Sequence, residues 1–381
     1  MPAPSNLPSE RVTIRFPPVK DVEESYQLLE LPPEVLAAVE GGAVVPLTIK
    51  GRPNDDAVLC TQDKTYTLRS VAISNSLLVL RPPTSSFETC ATRSWSASPA
   101  AGRVERVRAV LKESAWTGID KERAGGEGRK KRKRAKRYTR AQLESIIQAS
   151  EDELSAAIKE NNIVEVDGDM LLLPEAELGA LLALVLALIT VHASSSLSGS
   201  SVPVSVCAVA EALSEDHEVP SDLSRGVMGL FGTIDGDTWD ADVQAMVREL
   251  GRGLLVQLEE PHPVDEFMIR WHQASTDDWS QHADITLLKG EYLLTDPPPS
   301  TFAQAGPLLS YFPAHSLPAH PPTRFADLFL TRPRWRPDDM APFLRGLYRE
   351  GDSKARDKLI AKFVRVVKEK DGSWWYPRRT G

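Results

Sequence analysis

The chain is 381 residues long, 41% hydrophobic and 26% charged, with 45 Lys plus Arg against 53 Asp plus Glu and a formal net charge of −8. These are ordinary globular values that exclude a fibrous or wholly disordered chain, and the length implies about two to four domains. Three cysteines, Cys60, Cys90 and Cys207, lie far apart without paired spacing. That argues against a disulfide framework or a cysteine zinc site, and makes Cys60 and Cys207 small buried hydrophobes in a reducing compartment. No basic-then-apolar leader opens the sequence.

Residues 1–10 are rich in Pro and Ser and read as loose. From about 12 to 80 the pattern is mainly strand. Residues 44–50, 57–61, 65–73 and 77–80 are short β-branched or apolar runs, punctuated at 51–55, 62–63 and 74–75. They predict a small meander with one apolar face and little helix to cover it. Such a sheet closes as a barrel or borrows strands, because open edges invite pairing. Too few strands are visible for closure, so borrowing from a partner is the expectation and a self-contained small barrel the alternative. A polar loop is expected up to Gly102, then a short helix marked by Val104, Val107, Val110 and Leu111.

Eight of the nine residues from 129 to 137 are basic: Arg129, Lys130, Lys131, Arg132, Lys133, Arg134, Lys136 and Arg137. Behind a Gly pair, a run this charged reads as a disordered linker. Nuclear import is its first functional reading and a nucleic-acid tether its second; a solvated spacer is the alternative to both.

Residues 138–196 read as one unit. Leu143, Ile146 and Ile147 mark an amphipathic helix, and Ser150 with Glu153 fits a capping box ahead of Leu154, Ala157 and Ile158. Residues 163–173 hold two apolar runs around Asp167-Gly168, a hairpin signal. Helix, helix, hairpin is the order of a winged helix-turn-helix. The apolar stretch 178–191 falls short of the about 20 residues that span a bilayer. It is expected to be a fully buried helix in a soluble, intracellular protein with no membrane partner.

A second unit, 197–305, carries helical patterns at 206–213, 222–231, 239–250 and 264–273, then a hairpin from 285–288 and 292–295. A third, 306–381, has helical patterns around Phe325, Leu328 and Phe329, around Met340, Phe343, Leu344 and Leu347, and from 353 to 367 with Leu359, Ile360, Phe363 and Val367 inward. Asp371-Gly372 closes a last hairpin. From Arg324 onward there are fifteen Lys plus Arg against eight Asp plus Glu, a balance of +7, which leaves −15 for residues 1–323. Lys354, Lys358, Lys362 and Arg365 recur on one face beside Arg378 and Arg379. That pattern can meet phosphates without reading bases, since there is little Asn or Gln to read them. A DNA backbone, an acidic protein surface and plain solvent are the three readings of this face.

The motifs of an enzyme are missing. There is no G-x-x-x-x-G-K-[ST] loop, no G-x-S-x-G elbow and no H-E-x-x-H pair, and Asp235-Gly236-Asp237 lacks calcium-loop spacing. No cofactor or metal is expected, and the histidines read as surface or packing residues.

Several stretches resemble one family. They are Leu47-Thr48-Ile49-Lys50-Gly51, Ala57-Val58-Leu59-Cys60-Thr61, Lys64-Thr65-Tyr66 and Ser74-Asn75-Ser76-Leu77-Leu78, then Tyr138-Thr139 with Ile147-Gln148-Ala149-Ser150-Glu151, Phe267 with Trp271, and Leu288-Lys289-Gly290. The C-terminal ones are Arg324-Phe325, Leu328-Phe329, Trp335, Asp339, Ala341-Pro342 and Arg378-Arg379. In order and separation they resemble the Dcc-type ("defective in sister chromatid cohesion") subunit of the alternative, cohesion-linked replication factor C clamp loader. The resemblance implies a non-catalytic nuclear subunit of α+β class. Its β-rich domain, 1–118, would share a multi-subunit β-barrel with the small partner subunit and the large ATPase subunit's C-terminal tail. After the linker 119–137, three tandem winged-helix domains would follow. The last would contact single- and double-stranded DNA and the catalytic subunit of polymerase epsilon through Lys354, Lys358, Lys362, Arg365, Arg378 and Arg379, directing PCNA loading indirectly. A free-standing winged-helix DNA-binding regulator is the alternative, and an enzyme using scattered His and Asp the third class.

Overall fold

The computed structural model describes residues 28–42, 44–81, 86–119, 136–193, 201–296, 306–348 and 351–378. The fold is α+β, and its contacts divide the chain into two units: Met1–Val110 with Tyr138–Glu160, and Leu111–Arg137 with Asn161–Gly381.

In the first unit β1 (Leu28–Glu30), β2 (Thr48–Lys50), β3 (Val58–Cys60), β4 (Thr65–Arg81) and β5 (Ser86–Ala100) form a sheet ordered β1-β5-β4-β3-β2. Two members differ from the sequence reading. Residues 65–73 and 77–80 are one strand, because a register shift between Ala72 and Leu77 absorbs the Ser74-Asn75 break. The expected polar loop is the strand β5. Its Ser/Thr/Ala-rich sequence lacks apolar alternation, but pairing with β4 along most of its length decides its conformation.

Helix α1 (Pro33–Glu40) joins one small core, where Val35, Leu59, Tyr66 and Leu68 are buried with Leu29, Trp95 and Ala97 packed against them. Glu34 accepts from the Tyr66 hydroxyl at 2.8 Å and from Lys64 at 2.7 Å. Among the described residues β1 and β2 each have a neighbour on one side only, so the sheet is open at both ends.

The rest of the unit holds helices α2 (Arg106–Leu111), α3 (Arg140–Ile146) and α4 (Glu151–Glu160). Thr139 with Gln142 and Ser150 with Glu153 form reciprocal caps at α3 and α4. The turn between these helices is tied to the sheet. Lys50 donates to the Ala149 carbonyl at 2.7 Å, Thr65 to the Glu153 carboxylate at 2.5 Å, and the Asp152 amide to the Gln62 carbonyl at 3.0 Å. These bonds group α3 and α4 with the N-terminal sheet, whereas the hairpin that follows them belongs to the second unit.

That hairpin, β6 (Ile163–Val166) and β7 (Asp169–Leu172), turns at Asp167 (φ 52°) and Gly168 (φ 79°), the two left-handed residues a tight hairpin turn needs. Helix α5 (Glu175–His192) is long and apolar enough to cross a membrane by length and composition. It is not fully buried: Leu178, Leu181, Leu182, Val185, Leu186 and Ile189 lie in the core while Val191 is 74% exposed. Its partner is α8 (Val243–Val256), and the two approach at Gly179 and Gly253. A Cβ on Gly253 would stand 2.6 Å from the Glu175 carbonyl oxygen, so only glycine permits this crossing.

Helices α6 (Val206–His217) and α7 (Ser221–Leu230) lie between β8 (Ser201–Ser205) and a hairpin of β9 (Gly232–Asp235) and β10 (Thr238–Asp242), in a sheet ordered β8-β10-β9. Residues 239–242, expected to begin a helix, form β10. Asp242 caps α8 instead, accepting from the Ala245 amide at 2.9 Å. Trp239, and Phe267 and Trp271 of α9 (Val264–Ala274), share one core with α5 and α8.

The hairpin expected from 285–288 and 292–295 does not form. Asp284 accepts from the Thr286 amide at 2.7 Å and starts a 3-10 turn, and β12 (Tyr292–Thr295) pairs with β13 (Leu308–Tyr311), which also pairs with β11 (His262–Pro263). Cys60 is buried as expected, whereas Cys207 is exposed.

The last elements are α10 (Pro321–Thr331), α11 (Ser353–Phe363), β14 (Val364–Glu369) and β15 (Gly372–Pro377). Their core holds Phe325, Leu328, Trp335, Met340, Phe343, Leu344, Val364 and Trp375, with Phe363 stacked on Phe325 at 4.9 Å. Trp335 bridges to Trp375 as a further strand-like contact beside β15.

Candidate nucleic-acid interface

Asp352 begins α11 by accepting from the Ala355 amide at 2.9 Å. Leu359, Ile360 and Phe363 turn toward the core but stay half-buried, and no residue of the helix is fully buried. Lys354, Lys358 and Lys362 recur every four residues, so each is rotated by about 40° from the last and all three share the outer side.

The helix was expected to run to Val367. It ends at Phe363, because the β-branched residues after it pair with the aromatic strand β15. Arg365 therefore stands on β14, two residues past the helix, with its guanidinium 5.7 Å from the Tyr376 ring. Lys362 sits 5.4 Å from the Phe363 ring.

The carboxylates nearby are already engaged: Asp357 by Arg356 at 3.0 Å, Glu369 by Arg334 at 2.9 Å and Asp371 by Arg336 at 3.4 Å. Among the described residues none of Lys354, Lys358, Lys362 and Arg365 has a carboxylate within salt-bridge distance. Arg378 differs from the other expected contacts. Its amide donates to the Phe363 carbonyl at 2.9 Å and its guanidinium to the Ala361 carbonyl, so it fastens the strand end to the helix. Arg379 lies outside the described residues.

Sequence reasoning missed a second set. Arg334 and Arg336 lie over Trp374 at 4.1 and 4.8 Å, and the Trp374 indole donates to Asp371 at 3.0 Å. That bond, with Arg336 and Arg334 beside it, holds the Asp371 carboxyl below its usual range. The signal was present in Arg334-Trp335-Arg336: two arginines two apart on an extended segment share a face, opposite a buried Trp.

Of the expected import residues, Arg129, Lys130, Lys131, Arg132, Lys133 and Arg134 lie outside the described residues. Lys136 and Arg137 are exposed, and Arg137 pairs with Asp169 at 3.4 Å.

Buried charge serves the architecture. Arg252 pairs with Glu249 at 2.8 Å and with Glu175 and Glu291 at 3.4 Å, while Asn162 donates to Glu249 at 3.0 Å. Burial opposes the Arg252 charge, yet the three carboxylates together raise its pKa above the ordinary value. Arg324 donates to the carbonyls of Leu317, Pro318, Phe343 and Arg345, bracing the loops around α10. Among the described residues no group of three or more His, Cys, Asp or Glu is placed to hold a metal ion.

A family model described as sister chromatid cohesion protein Dcc1 matches residues 26–344. The sister chromatid cohesion protein DCC1 of Xenopus laevis is 27% identical over 363 residues, covering 89% of this chain and 86% of the relative. Those of Mus musculus and Homo sapiens are each 25% identical, over 357 and 360 residues, covering 89% of this chain and 84% of the relative. The family match ends before α11, so the basic face stands on its own geometry.

Proposed function

The chain belongs to the sister chromatid cohesion protein Dcc1 family, and from that premise we propose that it is a non-catalytic nuclear subunit of an alternative replication factor C-like clamp loader, acting in sister chromatid cohesion and DNA replication. In this reading the N-terminal sheet takes strands from the small partner subunit and from the large ATPase subunit. Its open ends support this, as do the exposed Leu28 and Ile49 on its two outer strands. ATP hydrolysis belongs to the other subunits, and this chain carries no cofactor. The C-terminal winged-helix part contacts DNA and the catalytic subunit of polymerase epsilon and so directs PCNA loading. Residues 129–134, with Lys136 and Arg137, serve nuclear import.

The observation that carries the contact role is the row Lys354, Lys358, Lys362 and Arg365, exposed and without a carboxylate in reach among the described residues. Cations presented this way release counterions when they meet phosphates, and with little Asn or Gln beside them they bind without sequence preference. The test is DNA binding by anisotropy across a salt series. Reversing charge at Lys358, Lys362 and Arg365 is expected to weaken binding and to flatten the log-log salt slope by about two to three. An unchanged slope would remove the phosphate contacts from this face.

A further inference from the structure

β14 is bound on one side only. Its ladder to β15 runs from Val364↔Pro377 to Glu369↔Gly372, and beyond β15 the Trp335 backbone pairs with Trp375. β15 is therefore internal, and among the described residues no strand lies along the other edge of β14.

The ladder's alternation identifies the groups that face outward. The Arg378 amide donates to the Phe363 carbonyl at 2.9 Å, which makes that pair hydrogen-bonded and every second pair after it likewise. Trp375 falls on the other parity, and its N–H and C=O go to Trp335 at 2.8 and 3.0 Å. Opposite Trp375 and Ser373 stand Val366 and Lys368. Their N–H and C=O groups accordingly turn away from β15, toward the open edge. The Val364 amide is used by the helix end, donating to Ile360, so the open donors begin at Val366. The Val366 side chain is itself 55% exposed.

Charge is sorted across the same hairpin. Its acids, Glu369 and Asp371, are neutralised by Arg334 and Arg336, which are held in place on Trp374. Lys362, Arg365, Lys368 and Lys370 flank β14 with no carboxylate in salt-bridge distance among the described residues. Cations on an edge strand guard against pairing with like copies. The same guard discriminates in favour of a strand of opposite sign.

We propose that the open edge of β14 binds an extended, acidic segment of a partner protein, added as a strand. Main-chain bonds to Val366 and Lys368 fix it, its apolar residues lie on the face of Val366, and its carboxylates lie on the opposite face with Arg365. The inference deepens the reading of this face as a replication interface and rests on it for the partner's origin; the mode of binding rests on the strand geometry.

The test uses the full chain and a fluorescein-labelled peptide of about ten residues alternating Glu and Val, an extended strand with one acidic face. Saturable binding is expected, and a peptide alternating Lys and Val should not bind. N-methylation of alternate amides, which keeps the charge and removes main-chain donors, should weaken binding about tenfold or more. Val366→Pro should do the same, because Pro lacks the outward N–H yet is tolerated on an edge strand; Val366→Ala should stay within about threefold of the parent. Duplex DNA binding should be indifferent to Val366→Pro. Three results would each overturn the proposal: no binding of the Glu-Val peptide, equal binding of its N-methylated form, or equal binding by a folded Val366→Pro variant. Loss of DNA binding on charge reversal, with Val366→Pro silent toward the peptide, would end this inference and leave the phosphate-contact reading intact.

Discussion

Arg252 is the cation shared by three largely buried carboxylates from distant parts of the second unit, Glu175, Glu249 and Glu291. Arg252→Met removes that charge and leaves the carboxylates facing one another. A loss of about 3–5 kcal/mol is expected in denaturant unfolding, since breaking a buried pair strands its partners. Glu291 behaves in the opposite sense. Burial raises its carboxyl above the ordinary range, with Arg252 and Arg248 opposing. A raised folded-state pKa means that the fold holds this proton more tightly than the unfolded chain does. Its stabilising contribution is then complete below the unfolded pKa and is lost as pH rises through the folded one. Glu291→Gln, neutral throughout, should therefore melt above the parent at about pH 8 and level with it at about pH 4. None of this was legible in the sequence. Nothing local announces that Arg252 is folded between Glu175, Glu249 and Glu291.

Elements were read best where the signal is local. The Asp167-Gly168 turn and the Ser150–Glu153 cap need only neighbouring residues, and both are in place. The misses share a cause, a distant partner that decides the local conformation. β5 is a strand through β4, residues 239–242 through β8 and β9, and residues 364–367 through Trp374–Pro377. β12 found its partner beyond a Pro-rich segment rather than in the adjacent apolar run. The basic face was thus half legible: the lysine spacing on α11 was, the strand carrying Arg365 and the Arg334–Trp374–Arg336 stack were not. The α5–α8 crossing makes its own prediction. Gly253→Ala places a methyl within 2.6 Å of the Glu175 carbonyl oxygen, and backbone cannot yield as a side chain does. A loss of about 1–3 kcal/mol is expected by thermal or denaturant unfolding.

At the scale of the whole molecule, among the described residues the N-terminal sheet has open outer strands with exposed Leu28 and Ile49, α11 and β14 carry cations with no carboxylate in salt-bridge distance, and the buried Arg252 charge is matched by Glu175, Glu249 and Glu291. These features support the proposed role, in which the N-terminal sheet joins the partner subunits and the basic face makes the contacts. The central claim is the contact made by the basic face. It is tested by co-expressing the chain with the small and large clamp-loader partner subunits, purifying the complex, and measuring its capture of the polymerase epsilon catalytic subunit. The account predicts that the parent complex retains the polymerase, and that the complex with charge reversed at Lys358, Lys362 and Arg365 assembles equally well but retains far less. Equal retention by both, or a chain that purifies apart from its partners, would contradict it.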